Sequence, residues 1–429
     1  MPTSAHRRAC SILLLASLFG FLALPWCAAE PPLVCTGGMG SFTAQLVGGI
    51  TVSIGAEHSG GFARRGCQAR FSWDGRQLPI ATSAADIDAD ALGIDLGVGV
   101  PVAAFQIRSS ARDPLMRYEI YTLKKPPRLL RTLTGSDTYS AADADLDGRI
   151  EIWAADAGVF NGLDGLRLSA FDFAPPVVLR FEHQQLLDVS AEFQAEYDQR
   201  IAGLRTQLTP GGMEAFRTSD GRLDVIPPEK LHIYREMLQT KIKVLEIVAC
   251  YLWSGRDAEA AKALDELWPA GDRERIHAAL INARAHGIHT QVDAVSAGAT
   301  GTRHHTFVYD PLPTKERAGQ GATLWGPAGL MLPLIEASDH AAVVRVDTAA
   351  IPIQLSRPEP TDARAVPAMA PDTMMKLLLD AAGKVREAYM KGAPDPGLIA
   401  ATSSWKFIPA YKENKPVAAW MELSVSLQQ

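Results

Sequence analysis

Long apolar runs are missing from this sequence beyond its first residues, which excludes a chain that crosses a membrane many times. Basic charge is not in excess either. Lys and Arg number 42 against 48 Asp and Glu, and a formal charge of -6 disfavours general nucleic-acid binding, which needs clustered cations to neutralise phosphates. Cysteine is scarce, with five in 429 residues, and no two are spaced CxxC, so neither a dithiol redox centre nor a cysteine zinc site is expected. HExxH, GxSxG and the P-loop are absent. Gly319-Gln320-Gly321 runs into Ala322, Thr323 and Leu324 without completing a dinucleotide fingerprint. What is there, 47% hydrophobic and 21% charged residues, is the mixture of a folded globular protein. The length calls for about two to four modules.

The N-terminus sets the compartment. Arg7 and Arg8 precede an apolar run from Ser11 to Trp26, and small Ala28 and Ala29 follow. This is the plan of a secretory signal peptide over residues 1–29, with cleavage expected after Ala29 and a periplasmic or secreted product. The alternative is an uncleaved anchor, the one case that would bring membrane association. Three cysteines lie beyond the signal. Cys35 and Cys67 are expected to pair in an oxidising compartment, and Cys250, within Ile247, Val248 and Leu252, reads as a buried inert thiol.

The mature chain divides by pattern. Residues 30–180 read as β-rich, with strand-like runs at Ala44 to Ile54, Pro101 to Ile107, Tyr118 to Leu123 and Arg149 to Ala154; Pro175 and Pro176 punctuate its end. Residues 183–289 read as helical. Leu231, Tyr234, Leu238, Ile242, Leu245, Ala249 and Leu252 form one apolar stripe, closed by Gly255. Further helices start at Asp257 and Asp272, the latter ending at Gly287, which predicts helical hairpins. Residues 290–367 read as a mixed segment and linker, with a possible strand at Ala341 to Val346 and Pro352, Pro358, Pro360 and Pro367 beyond it. The fold class expected is α+β and multidomain.

Asp143-Ala144-Asp145-Leu146-Asp147-Gly148-Arg149-Ile150-Glu151 is the sharpest chemical signal. Asp143, Asp145, Asp147 and Glu151, with the backbone carbonyl of Arg149, can curl around one calcium ion, which takes six to eight oxygens. Gly148 permits the sharp turn. An EF-hand needs an acid where Ala154 stands, so this is not one. The loop resembles the calcium loops of FG-GAP and VCBS repeats, the blades of integrin-like propellers. That resemblance implies a β-blade or small β-sheet domain braced by calcium. Asp86, Asp88 and Asp90, followed by Asp95, form a weaker second copy that lacks the glycine.

From Met375 onward the order of features is strand, turn at Gly383, strand from Val385, a helix opened by Asp395-Pro396, the block Trp405-x-Phe407-x-Pro409, and a last strand led in by Pro416-Val417. This order resembles the C-terminal domain of TonB-family proteins and covers residues 368–429. The resemblance implies a small α+β domain in the periplasm to which a protein partner, an outer-membrane receptor in that family, adds a strand. The pairing edge expected is Glu422, Leu423, Ser424, Val425 and Ser426. The Tyr-Pro start and the Pro-rich spacer of an energy transducer are missing.

His286, His289, His304 and His305 offer the elements of a zinc site, but Gly287 ends the helix between the first pair. Lys124, Lys125, Arg128 and Arg131, interrupted by Pro126 and Pro127, read as a solvated loop. The function expected is therefore non-enzymatic: an extracytoplasmic protein-interaction protein with a calcium loop. A metal-dependent hydrolase on the histidines and a calcium-dependent carbohydrate- or cell-surface-binding module are the alternatives.

Overall fold

The structure, a computed structural model, describes residues 34–57, 66–224, 231–296, 346–354, 373–390, 396–402 and 405–425. The signal segment, His304, His305 and Ser426 lie outside these residues. Short runs of Val, Ile, Phe and Tyr, broken at Gly and Asp turns, fold as three successive antiparallel meanders. A short strand β1 (Cys35–Thr36) comes first. The first meander is β2 (Phe42–Leu46), β3 (Ile50–Ala56), β4 (Cys67–Trp73) and β5 (Arg76–Ala84). The second is β6 (Asp86–Ile94), β7 (Val102–Arg108), β8 (Met116–Thr122) and β9 (Arg128–Ser136), with β1 added antiparallel beside β6. The third is β10 (Tyr139–Ala142), β11 (Glu151–Ala155), β12 (Pro176–Glu182) and β13 (Gln185–Asp188), and the returning chain adds β14 (Ala294–Val295) parallel to β13.

Burial shows how the sheets stack. In β4, Cys67, Ala69, Phe71 and Trp73 are buried while Gln68, Arg70 and Ser72 alternate on the other face. One face of the first sheet thus buries its side chains against the second sheet and the other stays polar. Phe71, Phe105 and Tyr121 form a triangle of edge-to-face rings at 5.4–6.1 Å across that boundary. The second sheet is apolar on both faces: Ile87 and Phe105 join the first core, whereas Val102, Ala104 and Ile120 join the core shared with the third sheet. A disulfide between Cys35 and Cys67 ties β1 to β4, and so the second sheet to the first.

Helices cover the far side of the third sheet. After the short α1 (Ala157–Phe160) come α2 (Gln194–Thr206), α3 (Pro210–Arg217), α4 (Leu231–Trp253), α5 (Asp257–Leu267) and α6 (Arg273–His286). Trp153 on β11 meets Phe193 edge-to-face at 4.9 Å, and the Tyr197 hydroxyl donates to the Pro176 carbonyl at 2.7 Å. Cys250 is free and buried, and its apolar surroundings push the thiol up to about 12. None of the described helices is long and apolar enough to cross a membrane.

The remaining elements are β15 (Ile351–Gln354), β16 (Thr373–Leu379), β17 (Val385–Met390), α7 (Pro396–Ala401), β18 (Lys406–Ile408), β19 (Ala410–Lys412), β20 (Lys415–Val417) and β21 (Ala419–Val425). The central sheet has the order β17-β16-β21, and β15 pairs with β18. Leu377, Leu379, Leu398, Trp405, Phe407 and Met421 share one core. Gly383 turns β16 into β17 at φ +79°, and a Cβ there would lie 2.3 Å from the Phe407 carbonyl oxygen, so only glycine fits.

Four expectations are corrected. The β region does not end at Pro175 and Pro176, because Pro176 opens β12, a position where a strand tolerates proline, and the hairpin runs on to Asp188. Ala44 to Ile54 is a hairpin turning at Val47–Gly49 rather than one strand. Arg128 and Arg131 belong to β9 rather than to a loop. Part of the expected linker is structural: β15 supplies a strand to the C-terminal unit, and Ala350 and Val346 enter its core. Of the possible strand at Ala341 to Val346, all but Val346 lies outside the described residues.

Candidate metal centre at the acidic loop

The chain leaves β10 at Ala142 and re-enters the sheet at Glu151, and the eight residues between must reverse direction. Gly148 at φ +83° makes the turn. Asp143 closes it from inside: its carboxylate accepts the Asp147 N–H at 2.9 Å and the Gly148 N–H at 3.0 Å. Asp143, Asp145 and Glu151 then each present a carboxylate oxygen, all within 4.8 Å of one another. Asp143 and Glu151 are fully buried, and Asp145 is 8% exposed.

The Asp147 carboxylate is not brought into this group. The Asp147 carboxylate accepts the Arg149 N–H at 2.8 Å and its Nε–H at 2.6 Å, so the third aspartate of the motif is turned to the loop's own arginine. The three converging acids repel one another. Burial, then neighbouring negative charge, holds the carboxyls of Asp143 and Glu151 well above the usual range. Two buried guanidiniums offset part of this. Arg180 lies 3.4 Å from Glu151, but it is shared with Glu192 at 2.9 Å and Glu182 at 2.7 Å. Arg386 donates to the carbonyls of Asp143 at 2.6 Å and Ala144 at 3.0 Å. A fourth buried acid, Asp380, accepts the Asp143 N–H at 3.2 Å. An all-oxygen, net-negative donor set of this kind suits a hard divalent cation.

The second aspartate series is not a loop. Asp86, Asp88 and Asp90 lie along β6, and each meets a different cation. Asp86 pairs with Arg108 at 2.9 Å. Asp88 accepts the Val34 N–H at 3.2 Å and pairs with Lys406 at 3.1 Å. Asp90 accepts from the Tyr118 hydroxyl and the Ala141 N–H, both at 2.6 Å, and pairs with Lys384. The strand holds the carboxylates apart, so they do not share one ion. Asp95 is a turn residue, accepting the N–H groups of Gly97, Val98 and Gly99.

The two described histidines of the zinc alternative are not brought together. His286 Nδ1 contacts the Asn282 carbonyl at 2.7 Å, and His289 Nδ1 contacts Asp188 at 3.1 Å. On β21, Glu422 is exposed and Leu423 is half-buried at the edge of the C-terminal core; Ser424 and Val425 continue the strand. The strand pairs antiparallel with β16, from Ala419 opposite Leu379 to Val425 opposite Thr373, and ends the sheet order.

Sequence reasoning missed Asp380, Arg386 and Arg180. Asp380 carries a local signal in hindsight, since it opens the turn before Gly383 and accepts the N–H groups of Ala382 and Lys384 at 2.9 Å. Nothing local announces that it meets Asp143. Comparison with protein-family models, curated proteins and solved structures finds no match to this chain.

Proposed function

We propose that the protein is a non-enzymatic, extracytoplasmic interaction protein that binds a protein partner by strand addition at β21 and uses a calcium ion to brace the acidic loop. The carrying observation is the place of β21. It terminates the order β17-β16-β21, and among the described residues no strand lies on its other side. Such an edge offers free N–H and C=O groups to an incoming strand. The sequence from Met375 to Leu423 supplies the same strand, turn, strand, helix, strand order as TonB-family C-terminal domains, and in that family the partner is an outer-membrane receptor.

The calcium role rests on the convergence of Asp143, Asp145 and Glu151. The loop connects the first two strands of a four-stranded meander, in keeping with an FG-GAP or VCBS-type blade. The Cys35–Cys67 bond supports an oxidising compartment.

Two experiments test these halves separately. The full mature chain, used as bait in envelope extract, should retain an outer-membrane receptor, and a Val425→Pro chain should not, because proline removes a donor from the edge. Equal capture by both baits, or no receptor with either, rejects strand addition. Thermal unfolding should occur at higher temperature in calcium than in chelator. At free calcium one hundredfold above Kd the gain is about 2.7 kcal/mol. Asp145→Ala should erase the difference, and identical curves for the unaltered chain reject the calcium role.

A further inference from the structure

The acidic loop does more than gather carboxylates: its crest is built into the C-terminal unit. Leu146 is 1% exposed and stands at φ +56°, a left-handed conformation that a branched side chain rarely adopts. It packs in a small cluster of its own with Leu378 on β16, Ala418, and Trp420 on β21, with Tyr389 of β17 against them. Both faces of the C-terminal sheet are therefore buried, one over its own core and one over this leucine. A residue held in a sparsely populated conformation persists only when its surroundings over-determine it. Here the surroundings come from a segment more than two hundred residues away.

Polar contacts tie the C-terminal unit both to this loop and to β6 beside it. Arg386, 2% exposed, clamps the carbonyls of Asp143 and Ala144, and Asp380 takes the Asp143 N–H. Alongside, Lys384 pairs with Asp90, Lys406 pairs with Asp88, and the Tyr411 hydroxyl donates to the Gly93 carbonyl at 3.3 Å. If the C-terminal unit lifts away, two buried carbonyls, one buried N–H and the Leu146 side chain lose their partners together.

We infer that the acidic loop is a latch: it seats the C-terminal unit through Leu146 and the Arg386 clamp, and the loop's shape and the position of the pairing strand β21 change together. The functional weight of this coupling rests on the proposed role of β21. The coupling itself needs no metal. Because coupling between two sites is reciprocal, a strand bound at β21 would hold the loop in its ligating shape, and an ion in the loop would hold β21 in place.

Hydrogen exchange of the full mature chain, first in calcium-free buffer, tests this. Leu146→Ala and Arg386→Ala should each speed exchange in peptides covering 419–425 by tenfold or more, while peptides from β4 and β5 keep their protection. Reciprocally, Trp420→Ala should speed exchange of the Asp147 and Gly148 amides, which Asp143 holds. Leu146→Met, which keeps an apolar side chain of similar size, should restore most of the protection at 419–425. Unchanged exchange at 419–425 in both loop variants, or at 147 and 148 in Trp420→Ala, overturns the latch. If a loop variant also loses protection in β4 and β5, Trp420→Ala decides alone. Repeating the series with calcium separates the two readings. A latch that responds to these variants but not to calcium rejects the ion and keeps the coupling; calcium protection of the loop with no change at 419–425 does the reverse.

Discussion

Asp86 to Asp90 and Asp143 to Asp147 carry the same spacing of carboxylates, and the molecule uses them in opposite ways. On β6 the alternation becomes the alternation of a strand, so Asp86, Asp88 and Asp90 stand along it and each meets a different cation, Arg108, Lys406 or Lys384. After β10 the same spacing curls, and Asp143 and Asp145 converge with Glu151. Position six separates the cases. Gly148 adopts φ +83°, whereas Ala91 in the corresponding place is buried within β6. Spacing alone does not make a ligand loop; the backbone must also be able to turn.

The sharpest break of this comparison is Asp90→Ala. It removes the acceptor of the Tyr118 hydroxyl and the Ala141 N–H and strands Lys384. We expect a loss of about 3 kcal/mol in chemical denaturation, as for breaking a mostly buried pair. Asp145→Ala in chelator should have the opposite sign, a small gain, because it removes one of three mutually repelling buried acids. Losses of the same sign for both would show that the loop acids are paired as fully as those on β6.

Asp156 sets the scale for a buried acid whose hydrogen-bond partners are neutral. It is fully buried, accepts Trp253 Nε1–H at 3.0 Å and the Ile288 N–H at 3.1 Å, and its pKa rises to about 6, chiefly through burial. Its folded pKa lies above the unfolded value, so the folded state binds the proton more tightly. Stability from this group therefore rises as pH falls from about 7 through 6 toward 4, by at most about 3 kcal/mol. Asp156→Asn should flatten that rise in melting curves taken across the window, and an unaltered pH slope contradicts this account.

A further effect concerns the turn. Gly148→Ala should cost about 1–2 kcal/mol, since a Cβ is unfavourable at positive φ. It should also weaken calcium protection, whereas Ala91→Gly should cost less than about 1 kcal/mol and create no calcium response at β6. A calcium-dependent shift in melting temperature gained by Ala91→Gly would restore the second loop.

Much of the chain was legible because its signals are local. The 3.6-residue stripe from Leu231 to Leu252 is α4, and Gly255 at φ +76° follows its end. Gly287 stands just beyond α6, and the hairpin around Gly383 lies where its apolar runs place it. The acidic series on β6 was misread because a run of alternate aspartates is unusual in a strand and gains its place only from Arg108, Lys384 and Lys406, which local pattern does not reveal. Likewise β15 was hidden in a proline-rich stretch, since its pairing partner β18 lies more than fifty residues on.

The sequence by itself determined the local events: where the chain turns, which helices carry an apolar face, and that Asp143, Asp145 and Glu151 are close enough along the chain to meet. Backbone preference and side-chain period act over a few residues, and these features need no more. Only the tertiary structure decided that three sheets stack with helices on the last, and that Leu146 packs with Trp420 while Arg386 holds the loop backbone. Those outcomes depend on burying apolar faces and satisfying buried charges between segments far apart in sequence, where no local pattern specifies the partner.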